Sequence, residues 1–189
     1  TPLYSSAASD VYKRQCQILA DLMTFEEHKG ALEGRRIAWF GDGNNVAVSL
    51  AQAAALLGFE LALAVPDAFM LPDDVLAWAA DKPGKITRCE SPQDAARGAA
   101  ALVTDCWVSM SDDPETAEKR AAAFGAYQVT QELMALGDGA IFMHCLPAYR
   151  GKEVTAEVID GPKSVVFDEA ENRCHAQKTI LTYCLGLDA

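Results

Sequence analysis

Short apolar segments alternate with helical patterns along most of this 189-residue sequence, and this alternation constrains the fold more than any other feature. Six short apolar runs are predicted to be strands: residues 36–40, 60–65, 85–89, 101–106, 140–144 and 164–167. They show little alternation of apolar and polar residues, which is typical of strands covered on both faces. The sequence therefore predicts a single α/β domain with a doubly wound, mostly parallel, Rossmann-like sheet and helices on both faces.

Capping residues, glycines and prolines mark the ends of the predicted helices. The first helix begins near Cys16 and stops at Lys29-Gly30, and the last covers residues 172–185. The other predicted helices follow residues 41–45 as far as Leu57 and cover residues 72–82, 91–97, 114–124 and 130–136. Residues 1–15 have no clear period and are interpreted as a leader outside the fold.

Composition excludes several classes of protein. No apolar run approaches the roughly 18 residues of a membrane span. The net charge of −11 and the pI of about 4.6 disfavour nucleic acid and anionic membrane surfaces as partners. Six cysteines occur without any CxxC pair and without a recognisable secretory signal, so we expect reduced thiols in a cytoplasmic protein.

The carboxyl ends of the predicted strands carry polar residues, and ligands bind there in open α/β sheets. After the first strand stands GDGNN, residues 41–45. A dinucleotide fingerprint would need glycine where Val46 stands, which argues against a nucleotide-binding oxidoreductase. The Asn45 amide could hold the amino or carboxylate group of an amino acid. The alternative is a plain tight turn before a helix.

Two further strand ends carry reactive or charged side chains. After the fourth strand, Asp105 could pair with an amine and Ser109 with a carboxylate, or both could simply cap the next helix. After the fifth strand, Cys145 follows His144. Neighbouring strand residues point to opposite faces, so His144 is not expected to be the base for Cys145. A Cys145 thiolate that contacts a ligand is one hypothesis, and a buried structural cysteine is the other.

A cation completes the set of candidate site residues. Arg173, predicted near the start of the last helix, could serve a carbonyl or phosphate oxygen, or lie on a solvated face. The adjacent pairs 144–145 and 174–175, each a histidine and a cysteine, lack the usual zinc spacing, so no metal is predicted. Amides, an acid, a thiol and a cation at one sheet edge together predict a small-molecule site of mixed charge.

Four motifs carry a resemblance to a known family. GDGNN, DCWVSM, HCLP and FDEAENRCHAQK follow one another here as in ornithine carbamoyltransferases, which the sequence resembles from about residue 16 to its end. The resemblance implies transfer of the carbamoyl group of carbamoyl phosphate to L-ornithine, giving L-citrulline and phosphate for arginine biosynthesis. It implies no cofactor and a homotrimeric parent enzyme. It also implies that residues 16–30 enter from an absent carbamoyl-phosphate domain and that residues 31–189 form the ornithine-binding domain.

The resemblance also implies roles for individual residues. Catalytic roles fall on Cys145 and Arg173, with Arg173 polarising the carbamoyl carbonyl. The residues implied to bind ornithine are Asn45, Asp105, Ser109, Met110, Cys145 and Leu146. Those implied to bind carbamoyl phosphate are Gln17, Cys145, Leu146 and Arg173.

The sequence departs from the family pattern in three places. Arg14-Gln15 stand where the family has His-Pro, and Ser111 replaces a loop glycine. The family's phosphate loop, Ser-x-Arg-Thr-Arg, occurs nowhere in the 189 residues. We therefore expect no turnover by this chain alone. Two alternatives stay open: a carbamoyltransferase for another amine, such as aspartate, putrescine or an acylated ornithine, and an inactive amino-acid-binding module.

Overall fold

The computed structural model describes residues 14–108 and 114–187 and contains one five-stranded sheet. The strands are β1 Arg36–Phe40, β2 Glu60–Ala64, β3 Lys85–Arg88, β4 Ala101–Thr104 and β5 Ile141–His144. The helices are α1 Gln15–Lys29, α2 Asn45–Leu57, α3 Asp73–Ala79, α4 Pro92–Ala96, α5 Pro114–Phe124, α6 Gln131–Leu136, α7 Ala156–Ile159 and α8 Val166–Cys184. Short 3-10 turns lie at Asp67–Phe69 and Gly125–Tyr127.

All the strand pairs are parallel, in the order β3-β2-β1-β4-β5. The chain moves outward from β1 through β2 to β3, and then continues on the other side of β1 with β4 and β5. The strand order reverses between β1 and β4, which is where open α/β sheets bind ligands. In the register, Phe40 lies beside Thr104, and Thr104 lies beside His144. The three segments that follow these residues therefore meet at one edge.

Helices cover both faces of the sheet, as predicted. Along β1, Ile37 and Trp39 belong to one buried cluster, while Ala38 and Phe40 belong to another on the opposite face. The first cluster includes residues of α1 and α2, and the second includes residues of α4, α6 and α7. Such two-sided burial explains why β1, β2, β4 and β5 are largely apolar runs, whereas the edge strand β3 has charged ends. Across residues 14–108 and 114–187, no helix is both long enough and apolar enough to cross a membrane.

The predicted sixth strand, residues 164–167, is wrong. Ser164 forms only an isolated bridge to Phe142, and helix α8 begins at Val166. Phe167 is exposed, so the apolar run is not a buried strand. Asp168 and Glu169 follow in the first turn, where acidic side chains favour a helix. The other predicted strands and helices are present, most of them shortened by one to three residues at their ends.

The first and last helices pack against each other beside the sheet. The extended start of α8 places Arg173 in the helix interior and not near its beginning, which corrects the prediction for that residue. On α1, Gln17 and Asp21 lie one turn apart and are both buried, and Glu169 of α8 is buried as well. The packing of α1 on α8 therefore brings several polar side chains to the carboxyl end of β5.

Candidate functional site

The loop between β1 and α2 contributes an asparagine that sequence reasoning did not single out. The Oδ1 atom of Asn44 accepts hydrogen bonds from the N–H groups of Val46 and Ala47, at 2.9 and 3.1 Å, and so caps α2. Its Nδ2 atom donates to Oδ2 of Asp105 over 2.8 Å. Asn45, the predicted ligand, is the first residue of α2 and is half-buried at the same edge.

Glycine is required in this loop because other backbone passes very close to it. A Cβ atom on Gly43 would lie 2.3 Å from the carbonyl oxygen of Phe69. Gly41 has a φ of 113°, and a Cβ atom there would lie 3.0 Å from the Trp107 ring. The two glycines of GDGNN therefore allow the close packing that holds Asn44 and Asn45 in place.

Asp105, directly after β4, is the centre of the site. One carboxylate oxygen, Oδ2, accepts from Asn44, while Oδ1 accepts from the N–H of Cys106 over 2.7 Å and from the Cys145 thiol over 3.1 Å. Asp105 therefore joins the segments that follow β1, β4 and β5. The carboxylate is half-buried, so it faces the edge of the sheet without being sealed in the core.

Cys145 is a neutral thiol in this arrangement. Burial, and next the negative charge of Asp105, raise the pKa of Cys145 well above its ordinary value of 9.0. Asp21 and Glu169 raise it further. In the unliganded chain the S–H group donates to Asp105, so the hypothesis of a thiolate that contacts a ligand stays a prediction about the complex. The neighbouring Cys106 thiol has a pKa raised to about 12, again mainly by burial.

Both ring nitrogens of His144 face groups other than the Cys145 thiol. His144 is fully buried, its Nδ1 atom accepts from the N–H of Leu146 over 2.9 Å, and its Nε2 atom lies 3.5 Å from Oε1 of Glu153. The backbone N–H of Leu146, a predicted ligand residue, is thus occupied by His144. Leu146 has a φ of 50°, an unusual value for a leucine. The buried Glu153 was not predicted.

One group in the described part of the chain has the composition of a metal site. Ligand atoms of Asp105, His144 and Cys145 all lie within 4.8 Å of one another. However, both ring nitrogens of His144 face Leu146 and Glu153, and Cys145 holds its proton. These contacts fit a protein-internal network better than a metal centre, and the absence of a metal stays a prediction.

A second hydrogen-bond network joins α1 and α8 behind Cys145. Arg173 donates from Nη1 to Oε1 of Gln17 over 2.8 Å, which brings together two residues predicted to bind carbamoyl phosphate. Gln17 donates from Nε2 to Asp21 and Glu169, and Oε2 of Glu169 accepts from the N–H of His144 over 2.8 Å. The network therefore reaches the end of β5, where Cys145 begins the next segment.

Four of the predicted site residues form two contacting pairs. Asp105 and Cys145 are in direct contact, Gln17 and Arg173 are in direct contact, and both pairs are connected through the end of β5. Asn45 lies beside Asn44 and Leu146 beside Cys145. Ser109, Met110 and Ser111 lie outside the described residues.

Arg120 on α5 contacts both the β1–α2 loop and the segment that follows β4. Arg120 forms an ion pair with Asp42 of the β1–α2 loop and donates from Nε to the carbonyl oxygen of Trp107 over 2.6 Å. Its guanidinium group lies over the rings of Phe69 and Phe124, each at 5.6 Å from the ring centroid. This contact fixes the spacing between the loop that carries Asn44 and the segment that carries Asp105.

The fold and this edge define a class of protein: a Rossmann-like α/β domain that presents amides, an acid, a thiol and a guanidinium group at the switch point of its sheet. Residues 33–184 match the family described as aspartate/ornithine carbamoyltransferase, Asp/Orn binding domain. The chain therefore belongs to the aspartate/ornithine carbamoyltransferase family, and the resemblance found in its motifs is confirmed.

Relatives and solved structures agree with this assignment. The chain is similar to ornithine carbamoyltransferase from Rhizobium johnstonii, with 50% identity over 98% of this chain and 60% of the relative. It is 54% identical to that of Rhodopseudomonas palustris, over 90% of this chain and 55% of the relative. Among solved structures, ornithine carbamoyltransferase from Pyrococcus furiosus is 42% identical with a TM-score of 0.85, over 90% of this chain and 56% of that one. The chain thus spans about three fifths or less of these relatives' length.

Proposed function

We propose that this chain carries the ornithine site of an ornithine carbamoyltransferase. The observation that supports this most is Asp105, held between the Asn44 amide and the Cys145 thiol at the switch point of the sheet. An acid fixed in this way can accept a hydrogen bond from the α-ammonium group of an amino acid. Arg173 is joined to this region by the second hydrogen-bond network, and it would then face the carbamoyl group that is transferred to the second amine.

Local charge favours a diamino acid over aspartate, the other substrate in the family's description. Asp105, Asp21 and Glu169 all raise the pKa of Cys145, because they produce a negative potential at that thiol. A second carboxylate, as in aspartate, would be repelled by Asp105, whereas an additional amine would not. Ornithine as the amine substrate is therefore the proposal that the charges support.

The chemical step is acyl transfer. The lone pair of the neutral δ-amine of ornithine attacks the carbamoyl carbon, a C–N bond forms, and the carbonyl oxygen takes up negative charge. The C–O bond to phosphate then breaks, phosphate leaves, and the nitrogen gives up a proton to give citrulline. We assign Arg173 to stabilisation of the oxyanion and Gln17 to orientation of the carbamoyl group. We assign Asn45, Asp105, Ser109 and Met110 to ornithine, with the Cys145 thiol and Leu146 beside the reacting groups.

The groups that hold the phosphate are proposed to come from a part of the protein outside these 189 residues. The Ser-x-Arg-Thr-Arg pattern does not occur in them, and they span 60% of the Rhizobium johnstonii relative. We propose a homotrimeric, cytoplasmic enzyme for the full-length polypeptide. All six cysteines are free thiols in the structure, which is compatible with a reducing compartment. Light scattering on the full-length protein tests the trimer.

Calorimetric titration of the 189-residue chain with L-ornithine, putrescine, N-acetylornithine and L-aspartate tests the amine assignment. We expect the strongest binding for ornithine, and a loss of about 10- to 100-fold in Asp105→Asn, since a charge-assisted hydrogen bond is removed. Asp138→Asn is the matched control, because Asp138 is an exposed acid before β5, at the opposite end of the sheet. Preferential binding of aspartate, or unchanged ornithine affinity in Asp105→Asn, would contradict the assignment.

Activity is tested in the full-length polypeptide that contains this chain. We expect citrulline and phosphate to form in equal amounts from ornithine and carbamoyl phosphate. Arg173→Gln should lower kcat by about 100- to 1000-fold, the usual effect of removing an oxyanion donor. If the unaltered polypeptide carbamoylates putrescine or aspartate in preference to ornithine, a different carbamoyltransferase is indicated. If it binds ornithine without turnover, the inactive binding module is indicated instead.

A further inference from the structure

Two buried carboxyl groups face each other behind the candidate site, and no role has been assigned to either. Asp21 of α1 is 4% exposed and Glu169 of α8 is 1% exposed. Both accept from Nε2 of Gln17, at 2.6 Å for Asp21 and 3.3 Å for Glu169, so one amide group brings the two carboxyl groups together in the core. Two ionised carboxylates that share one donor in the core would repel each other, so we expect one of the two groups to carry a proton.

The pair holds groups from three elements in place. On α1, it fixes the amide of Gln17, whose Oε1 atom accepts from Arg173 of α8. At the end of β5, Oε2 of Glu169 accepts from the N–H of His144, the residue that precedes Cys145. The amide orientation of Gln17 is therefore determined: its NH₂ group must face the acids, and its oxygen must face the guanidinium group.

We propose that Asp21 and Glu169 are positioning residues that share one proton, and that they orient Gln17 and Arg173 toward the carbamoyl group while anchoring the strand end before Cys145. This inference rests on the proposed function, because it assigns the pair to the carbamoyl side of that same site. Neither acid is placed in contact with substrate, so both act through the residues that they hold.

Charge balance explains why one shared proton suits the site. With one proton, the pair carries a single negative charge, which the guanidinium group of Arg173 on α8 balances. The other titratable groups that face the pair are Asp105 after β4 and Cys145 at the end of β5, while His144 contributes its backbone N–H. A second proton on the pair would leave Arg173 without its counter-charge, and loss of the first would set two negative charges in contact in the core.

The pH range of the singly protonated form follows from the burial of the pair. Burial raises the pKa of Asp21 to about 6, and burial together with the Asp21 charge raises the pKa of Glu169 well above its ordinary 4.5. Above a pH of about 6 the pair therefore keeps one proton, and below it takes up a second. We expect the rate of the full-length enzyme to fall as the pH drops through about 6 for this reason.

Proton sharing is tested directly in the 189-residue chain, without reference to catalysis. Carbon-13 NMR of the side-chain carboxyl groups, assigned with Asp21→Asn and Glu169→Gln, reports the ionisation of each acid. At neutral pH we expect one of the two resonances at the shift of a protonated carboxyl group, and a titration step of the other near pH 6. Two carboxylates that are both ionised at neutral pH would overturn the inference.

Steady-state kinetics of the full-length polypeptide test the positioning role of Asp21 and Glu169. We expect Asp21→Asn and Glu169→Gln to lower kcat/KM for carbamoyl phosphate by about 10- to 100-fold, because misplaced groups lose that much rate. The KM for ornithine should change less than about twofold in both variants. Protonation of the ornithine δ-amine lowers the rate of every variant as the pH falls. Since an asparagine side chain resembles the protonated acid, Asp21→Asn should lack the additional decline near pH 6 that the wild type shows.

The matched control is Glu27→Gln. Glu27 also joins α1 to α8, because its Oε2 atom accepts from Asn172 over 2.7 Å, but it is exposed and touches neither Gln17 nor Arg173 in the described contacts. Wild-type kinetics are expected for this control. Equal losses in all three variants, or equal losses for both substrates, would overturn the positioning role. If the unaltered polypeptide makes no citrulline, the proposed function fails and the positioning role with it, while the NMR result still decides whether the proton is shared.

Discussion

Replacing Asp21 by asparagine is expected to stabilise the fold at neutral pH while it lowers activity. Burial raises the pKa of Asp21 from 3.8 to about 6, although hydrogen bonds from Gln17 and Glu169 and the charge of Arg173 act in the opposite direction. The folded chain binds this proton more tightly than the unfolded chain does. The contribution of Asp21 to stability is therefore complete below pH 3.8 and is lost as the pH rises through about 6.

The size of the effect follows from these two pKa values. Each tenfold change in proton affinity corresponds to about 1.4 kcal/mol, so the ionised Asp21 costs about 3 kcal/mol at neutral pH. Solvent screening reduces this figure little, because Asp21 is 4% exposed. The asparagine that replaces it can still accept from Gln17 and carries no charge, but Arg173 loses a partner. We therefore expect a net gain of about 1 to 3 kcal/mol in the free energy of unfolding.

Urea unfolding followed by tryptophan fluorescence measures this gain, since Trp39 is fully buried. The free energy of unfolding should be higher in Asp21→Asn than in the wild type at neutral pH, and the difference should shrink as the pH falls through 6 toward 3.8. Glu27→Gln, which removes an exposed acid from the same helix, should show neither effect. An Asp21→Asn chain that is less stable than the wild type at neutral pH, with the same pH dependence, would refute the reasoning.

Two further substitutions and one chemical modification test the site loops. Gly43→Ala should destabilise the fold by about 1 to 3 kcal/mol through overpacking, whereas Gly125→Ala, which meets nothing within 4 Å, should be tolerated in the same urea assay. Asn44→Ala should cost about 1 kcal/mol as a lost cap and should weaken ornithine binding in calorimetry, whereas Thr130→Ala, a lost cap on α6, should affect stability alone. Alkylation by iodoacetamide, followed by mass spectrometry, should modify Cys145 at least about tenfold more slowly than the exposed cysteines at neutral pH, because a thiol reacts only as thiolate. Equal rates would contradict the neutral thiol.

Most of the fold could be predicted because buried parallel strands leave a clear pattern. Four of the five strands are apolar runs whose ends are marked by glycine, proline or polar residues, while the edge strand β3 has charged ends and only two inner residues that are partly buried. The parallel order of the strands follows from their alternation with helices. The strand predicted at residues 164–167 was wrong, because a run of three apolar residues is equally compatible with a strand and with the first turn of a helix. The acidic residues 168 and 169 were the available signal that a helix begins there.

The site could be predicted only in part, because the sequence shows which residues follow the strands but not which ones pack behind them. Asp105 and Cys145 were found from their positions at strand ends. Asp21, Glu153 and Glu169 were missed, since acids within helices and loops usually lie on solvated faces. The one local signal was the spacing of four residues between Gln17 and Asp21, which places both on one face of a helix.

Because the site is anionic, the pKa of the Cys145 thiol depends on whether a cationic ligand is bound. The charge of Asp105 helps to keep the thiol protonated in the unliganded chain. An ammonium group bound to Asp105 would offset that charge and so lower the pKa of the thiol. By linkage, a thiolate would in turn bind the ammonium more tightly than the neutral thiol does. The thiolate hypothesis therefore concerns the complex, in which the bound cation itself stabilises the ionised thiol.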